Sequence, residues 1–198
     1  MADLTREEIE DAVKRSRTLE NSNLADVDLS GANLNGAKLS GSDLSNANLM
    51  GANLHRADLS ETDLSGANLL ETDLSEAKLR VAKLREAELR RAYLYWAKLQ
   101  NTYLSEANLS DAALRETNLR GDNIWEPNLT GPDLRASRLS KAKLGGADLQ
   151  GADLPVPGGK DRPRPDLTET NLSFARHNSD TKFPKDFDPE AAGMVLKE

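Results

Sequence analysis

Apolar positions in this chain recur with a period of five. Leucine stands at 24, 29, 34, 39 and every fifth residue to 154, with Ile124 as the single exception, which makes 27 consecutive hits. The residue two before each leucine is nearly always small, as in Ala32, Ala37, Ser42, Ala47, Ala52, Ala57 and Thr62. Asn or Asp often comes immediately before the leucine (Asn33, Asp43, Asn48, Asn53, Asp58, Asp63), and the two residues after it are mostly polar or glycine. A repeat this regular sets the architecture before any local propensity is weighed.

Ordinary elements cannot use such a period. In an α-helix five residues advance roughly 500°, so successive leucines would wander around the axis. In a straight strand five is odd, and successive leucines would point to opposite faces. The chain must therefore turn once per repeat. Within a repeat the small residue and the leucine are two apart, so both point inward from a short extended segment, and their neighbours point outward. If each repeat turns a quarter circle, four close a coil of twenty residues, and coils stack at about 4.8 Å, the spacing of hydrogen-bonded strands. The 27 repeats then make nearly seven coils, a rod of about 30 Å. Asn, Asp and Gly suit the corners. The predicted class is an all-β solenoid whose core is a ladder of leucines beside a ladder of small residues.

The ends should be covered, because an open β-edge invites association. Thr5-Arg6-Glu7-Glu8 reads as a capping box, with Leu4 and Ile9 placed for a hydrophobic staple. A helix over roughly residues 6–17 is the expected N-terminal plug. The resulting division is a helical cap over 1–21, repeats over 22–154, a Pro/Gly-rich loop over 155–164, a partial final coil over 165–180 and a tail over 181–198. The register resumes after the loop at Asp166-Leu167, Asn171-Leu172 and Arg176-His177. The tail should lay Phe183 and Phe187 over the last coil. The inward small position is broken at Asp122, Pro127 and Pro132. Because proline removes a ladder donor, a bulged coil is expected near 121–133.

Ala47-Asn48-Leu49-Met50-Gly51 and Ala57-Asp58-Leu59-Ser60-Glu61 match residue for residue the motif A(D/N)LXX. The chain thus resembles the pentapeptide-repeat family over residues 22 to 156. That resemblance implies a right-handed quadrilateral β-helix, and the C-terminal segment is similar to the tail of cyanobacterial members. Some relatives dimerise through this end, so a homodimer is one reading of the tail. Some mimic DNA and bind type II topoisomerases such as DNA gyrase.

Composition alters this picture little. The 198 residues carry a formal net charge of −7, no cysteine and only 4% aromatics, and mean hydropathy is −0.63. Without cysteine there are no disulfides and no thiolate chemistry. The acidic balance disfavours general affinity for nucleic acid or anionic membrane. The polar N-terminus and the lack of any long apolar run point to the cytosol. His55 and His177 are far apart, His55 is expected to face solvent, and no metal spacing, P-loop or nucleophile elbow occurs. Neither catalysis nor a cofactor is expected.

The outward surface is more informative. Counting repeats modulo four, the face built on Leu39, Leu59, Leu79, Leu99, Leu119 and Leu139 carries Lys38, Lys78, Arg80, Lys98, Arg120, Arg138 and Lys141 against Asp58 and Glu61. Aromatics gather mid-chain: Tyr93, Tyr95 and Trp96 on one face, Tyr103 and Trp125 on the opposite one. Exposed Tyr and Trp are enriched at binding hot spots. The leading expectation is a non-catalytic scaffold that binds another protein. The alternatives are a DNA-mimic modulator of a type II topoisomerase and a sensory or regulatory module using the 155–164 loop. Acid spread thinly over three faces, beside one basic face, counts against mimicry.

Overall fold

The computed structural model describes residues 4–16, 18–114, 117–119, 127–132, 134, 144–145, 147–152, 154, 167, 169–185 and 187–197. Its framework is a set of single-residue parallel bridges twenty residues apart. Asn23, Asp43, Asp63, Lys83 and Tyr103 form one ladder, and Asn33, Asn53, Asp73, Tyr93 and Ala113 another. A third joins Lys38, Asp58, Lys78, Lys98 and Asn118, and a fourth runs from Asp28 through Asn48, Asn68, Glu88, Asn108 and Asn128 to Asp148. Four ladders with this step mean coils of twenty residues, one repeat per ladder.

A single repeat shows why the motif has its composition. Ala52 N–H closes a turn onto Leu49 O at 2.9 Å, Asn53 N–H reaches Ala32 O in the preceding coil at 2.9 Å, and Leu54 N–H reaches Asp73 O in the next at 2.8 Å. His55 N–H donates to Asn53 Oδ1 at 3.0 Å, and Arg56 N–H donates to Ser75 O at 2.9 Å. All five backbone donors are satisfied, as a buried ladder requires. The Asn or Asp before leucine therefore supplies the acceptor for a donor that the corner would otherwise strand. Its outer amide can also link coils: Asn48 Nδ2 donates to Asp28 Oδ1 at 3.1 Å and Asn68 Nδ2 to Asn48 Oδ1 at 3.2 Å.

The corner itself falls two residues after leucine. Every such described position from Asn21 to Asp111 that carries a side chain and has positive φ lies between 55° and 62°, and the glycines there lie between 65° and 69°. A positive φ at the third turn residue, closed by the bond from the small residue's N–H, is the pattern of a type II turn. Inside, the leucines from Leu29 to Leu104 are fully buried, with alanines beside them. Where Ser or Thr takes the alanine place, its hydroxyl finds a leucine carbonyl one coil back. Ser42 Oγ donates to Leu19 O at 2.6 Å, Thr62 Oγ1 to Leu39 O at 3.0 Å and Thr72 Oγ1 to Leu49 O at 2.7 Å.

The prolines correct one expectation. Pro127 and Pro132 occupy buried inward positions, but that position's N–H serves the turn and not the ladder, so proline there removes a turn bond only. Asn128 keeps the twenty-residue step to both Asn108 and Asp148, and Asp148 N–H still reaches Pro127 O at 3.1 Å. Asp122 and the rest of 121–126 lie outside the described residues, as does the 155–166 stretch.

At the N-terminus the structure shortens the predicted helix. Helix α1 covers Arg6–Lys14, with the Thr5/Glu8 capping box formed. It stops there because Arg15 leaves helical geometry and Ser16 takes a φ of 55°. Ile9 is fully buried in the same core as the first leucines, with Leu4, Ala12 and Val13 packed against it.

At the C-terminus the ladder continues after an insertion. Arg176 pairs with Asp148, twenty-eight residues earlier, and β1 (Arg176–His177) then pairs in parallel with β2 (Val195–Leu196). Thr181 repeats the buried hydroxyl contact, donating to Leu149 O at 2.9 Å. Phe183 and Phe187 stack with centroids 5.2 Å apart, and His177 meets Phe183 edge-on at 5.3 Å. With Leu144, Leu149, Leu154, Leu167 and Leu172 these two phenylalanines enclose a void of only about 10 Å³, so the tail packs against the last leucines.

Candidate functional site

The outward residues predicted to bind a partner separate into three groups. Along the basic ladder, Lys78 is committed: its Nζ lies 2.9 Å from Asp58 Oδ2. Partial burial pushes the Asp58 carboxyl up, but hydrogen bonds from Lys78 and Ser60 outweigh it and leave the group below its ordinary 3.8. Arg80 and Lys98 are exposed and have no anionic partner among the described residues. Gln100, on the rung above Arg80, keeps Oε1 buried without a hydrogen bond. Arg120, Arg138 and Lys141 lie outside the described residues.

Tyr93, Tyr95 and Trp96 are brought together. Their ring centroids are 6.5 Å (Tyr93–Tyr95) and 6.2 Å (Tyr95–Trp96) apart. Trp96 is 56% exposed and sits at a corner with φ of 57°. One coil below, Glu76 takes a bidentate pair from Arg56 at 2.9 and 3.1 Å. His55 was expected to face solvent, yet it is half-buried, with Nε2 at 3.7 Å from the same carboxylate. The Arg56 bonds hold the Glu76 carboxyl below its ordinary 4.5.

Tyr103 belongs to a different place, beyond the corner from the basic ladder. It lies on the rung above Lys83 and lines a groove of about 490 Å³ with Glu61, Ser65, Val81, Lys83 and Arg85. Lys83 pairs with Asp63 at 3.0 Å, and Arg85 pairs with Glu86 and Glu106, each at 3.2 Å. Burial raises Asp63, but Ser65 and Lys83 more than offset it and hold the group below 3.8. Trp125, expected one coil further, lies outside the described residues.

Val81 went unnoticed in the sequence although its signal was there. It is the one β-branched residue among the described corners, held at φ of 61° and 40% exposed. Glycine adopts that backbone freely, whereas a bulky β-branched residue there is a genuine outlier. The pattern "two polar residues after leucine" hid it, because the fifth position was read as free.

Among the described residues no three His, Asp or Glu side chains stand close enough together to hold a metal ion, and no helix is long and apolar enough to cross a membrane.

The family description "Pentapeptide repeats" matches in 8 copies, over residues 18–51, 52–91, 87–121 and 123–154. The chain belongs to the pentapeptide-repeat family. Proteins of this family are generally structural or interaction proteins. Solved structures of the same kind are similar to it. One is a pentapeptide repeat protein of the Arabidopsis thaliana thylakoid lumen, 31% identical, over 52% of this chain and 70% of that one, with a TM-score of 0.47. HetL, involved in heterocyst differentiation regulation in the cyanobacterium Nostoc, is 27% identical over 98% of this chain and 93% of its own, at a TM-score of 0.39. Full-length QnrB1, a plasmid-mediated fluoroquinolone resistance protein, is 20% identical over 98% and 89%, at 0.38. No curated protein matched.

Proposed function

We infer that this pentapeptide-repeat protein is a non-catalytic scaffold, a right-handed four-sided β-helix that displays fixed ladders of side chains to another protein in the cytosol. One observation carries this reading: six successive corners, at Glu71, Glu76, Val81, Glu86, Arg91 and Trp96, hold a positive φ with residues that glycine would relieve. Strain of this kind, of order 1–3 kcal/mol per residue, concentrates where side chains serve a purpose beyond the fold. Those coils also carry the exposed Tyr93 and Trp96, and the exposed Arg80 and Lys98, which have no anionic partner among the described residues.

The DNA-mimic reading fares less well on electrostatic grounds. A phosphate-like row needs carboxylates left free, whereas Glu71, Asp58, Asp63 and Glu76 are each paired with a Lys or Arg one coil away. Affinity capture with the full chain as bait tests the scaffold, using a second bait in which Lys78, Arg80, Lys98 and Arg120 are changed to Glu. A partner retained by the native bait and lost by the altered one is expected. Capture of nothing specific by either bait sinks the scaffold, and a type II topoisomerase held equally by both would favour mimicry.

A further inference from the structure

The C-terminal end departs from the leucine rule at a buried place. Leu144 N–H meets Asn171 O, Leu149 N–H meets Arg176 O and Leu154 N–H meets Lys182 O, at 2.8–2.9 Å. Leu172, His177 and Phe183 therefore follow in the leucine slots of the last coil. Leucine or isoleucine fills all 27 slots from 24 to 154, yet this one holds an imidazole. His177 is 8% exposed, and its Nε2 is buried with no hydrogen-bond partner among the described residues. A buried polar atom without a partner weakens the place that holds it, and departures from a sequence's own rule concentrate at functional places.

Over His177 runs a strap, residues 188–197, folded largely on itself. Asp188 Oδ1 accepts from the N–H groups of Glu190 and Ala191 at 3.0 and 3.1 Å. The N–H groups of Ala192, Gly193 and Met194 return to the carbonyls of Asp188, Glu190 and Pro189 at 2.9–3.1 Å. The strap meets the last coil through Phe174 N–H to Gly193 O, Val195 N–H to Ala175 O and Lys197 N–H to His177 O, at 2.7–2.8 Å. In β2, Leu196 stands in register with His177 but is 64% exposed, and Val195 is 39% exposed. Among the described residues, that leaves Met194 as the buried apolar anchor of the strap.

We propose that this strap is a releasable closure, which opens as one unit while the rod stays folded, with His177 setting how readily it opens. The strap's own turn travels with it, because those hydrogen bonds do not depend on the coil beneath. Opening takes the donors away from Ala175 O and His177 O, bares the coil edge that the strap covers and lets water reach the imidazole. Leucine in that slot would tie the strap down, whereas histidine keeps it loose. Elements that move are drawn from the low-stability end of a fold. The inference does not depend on which face of the rod meets a partner.

Native-state hydrogen exchange of the full chain, followed residue by residue by NMR, tests this. Corrected for intrinsic rates, the amides of Phe174, Val195 and Lys197 should share one opening with a common urea dependence. They should exchange about a hundredfold or more faster than those of Leu54 and Leu74 in the rod. His177→Leu, which restores the residue of the repeat, should slow all three about tenfold and leave Leu54 and Leu74 unmoved. Met194→Ala should speed all three about tenfold or more, again without affecting the rod. Protection that declines step by step from Phe174 to Lys197 would mean fraying of the end and would overturn the proposal. Exchange of the three at the rate of Leu54 and Leu74 would leave no separate opening and would overturn it equally. Three amides unmoved by His177→Leu would remove the histidine from its role and sink the device as proposed.

Discussion

Two stretches of the repeat array share one backbone and differ in what they place at its corners. From residue 21 to residue 51 the corners are Asn21, Asp26, Gly31, Gly36, Gly41, Asn46 and Gly51, all residues that accept a left-handed φ. From 71 to 96 they are Glu71, Glu76, Val81, Glu86, Arg91 and Trp96, none of which does so readily. The dihedral barely changes, 56–69° in the first stretch and 55–61° in the second. The corner is therefore dictated by the stacked coils, through rungs on either side and leucines within, and not by the residue that occupies it. Local preference supports the early coils and is overridden in the middle ones, where side chains that reach outward have been placed instead.

If the core dictates the corner, removing a leucine should hurt both stretches alike. Leu34 and Leu89 are both fully buried, and each replaced by Ala should lose about 2–5 kcal/mol, read as a matched fall in denaturant midpoint. A loss at Leu89 much larger than at Leu34 would mean that the middle coils depend on their core more heavily, and that their corners are stable only because of it. A loss well below 1 kcal/mol at both sites would break the account of the core itself.

The leucine period carried most of this in plain view. Twenty-residue coils, inward leucine and alanine, the capping box of α1 and the tail phenylalanines packed on the last leucines could all be reasoned from residues, because each follows from burial or from an orphan donor. The site was less legible. Lys78 looked like part of a free basic stripe, but the twenty-residue step sets Asp58 beneath it, and pairing depends on rotamers that a count of charges omits. Tyr103 is expected one coil from Trp125, which lies outside the described residues, and the pattern gives no hint of the Val81 and Lys83 that surround it. The prolines were misjudged because the pattern reveals which residues face inward but not which carbonyl each N–H meets.

Corner exchanges should show the next largest effect and address the contrast directly. A Cβ added at Gly36 meets nothing within 4 Å, so only its φ of 66° opposes a side chain there. Gly36→Val should destabilise by about 1–2 kcal/mol. Val81→Gly should stabilise, by about 0.5–1 kcal/mol, the relief of strain exceeding the entropy that glycine adds to the unfolded chain. Thermal melts of the two variants should move in opposite directions. Shifts of the same sign would show that the two corners are not equivalent and that Val81 contributes packing that its exposure conceals.

The smallest effect expected is electrostatic, at the seam between the stretches. Asp58 and Asp63 belong to earlier coils, and their partners Lys78 and Lys83 to the coils stacked on them, at 2.9 and 3.0 Å. Both carboxyls are held below their ordinary 3.8 in the folded protein, and the unfolded chain therefore binds protons first as pH falls. The pairs add to stability above that ordinary value, and the addition is lost as pH drops from 3.8 through the lower folded values. The groups are partly exposed, so each pair is a modest surface contribution that salt weakens further. Melting temperature followed downward from about pH 6 should fall once pH passes below about 4, and Lys78→Met with Lys83→Met should flatten that fall. An acid profile identical in the native chain and the double variant would place the seam's stability in the leucine and backbone ladders alone, making the ion pairs passengers on a geometry that the repeats already impose.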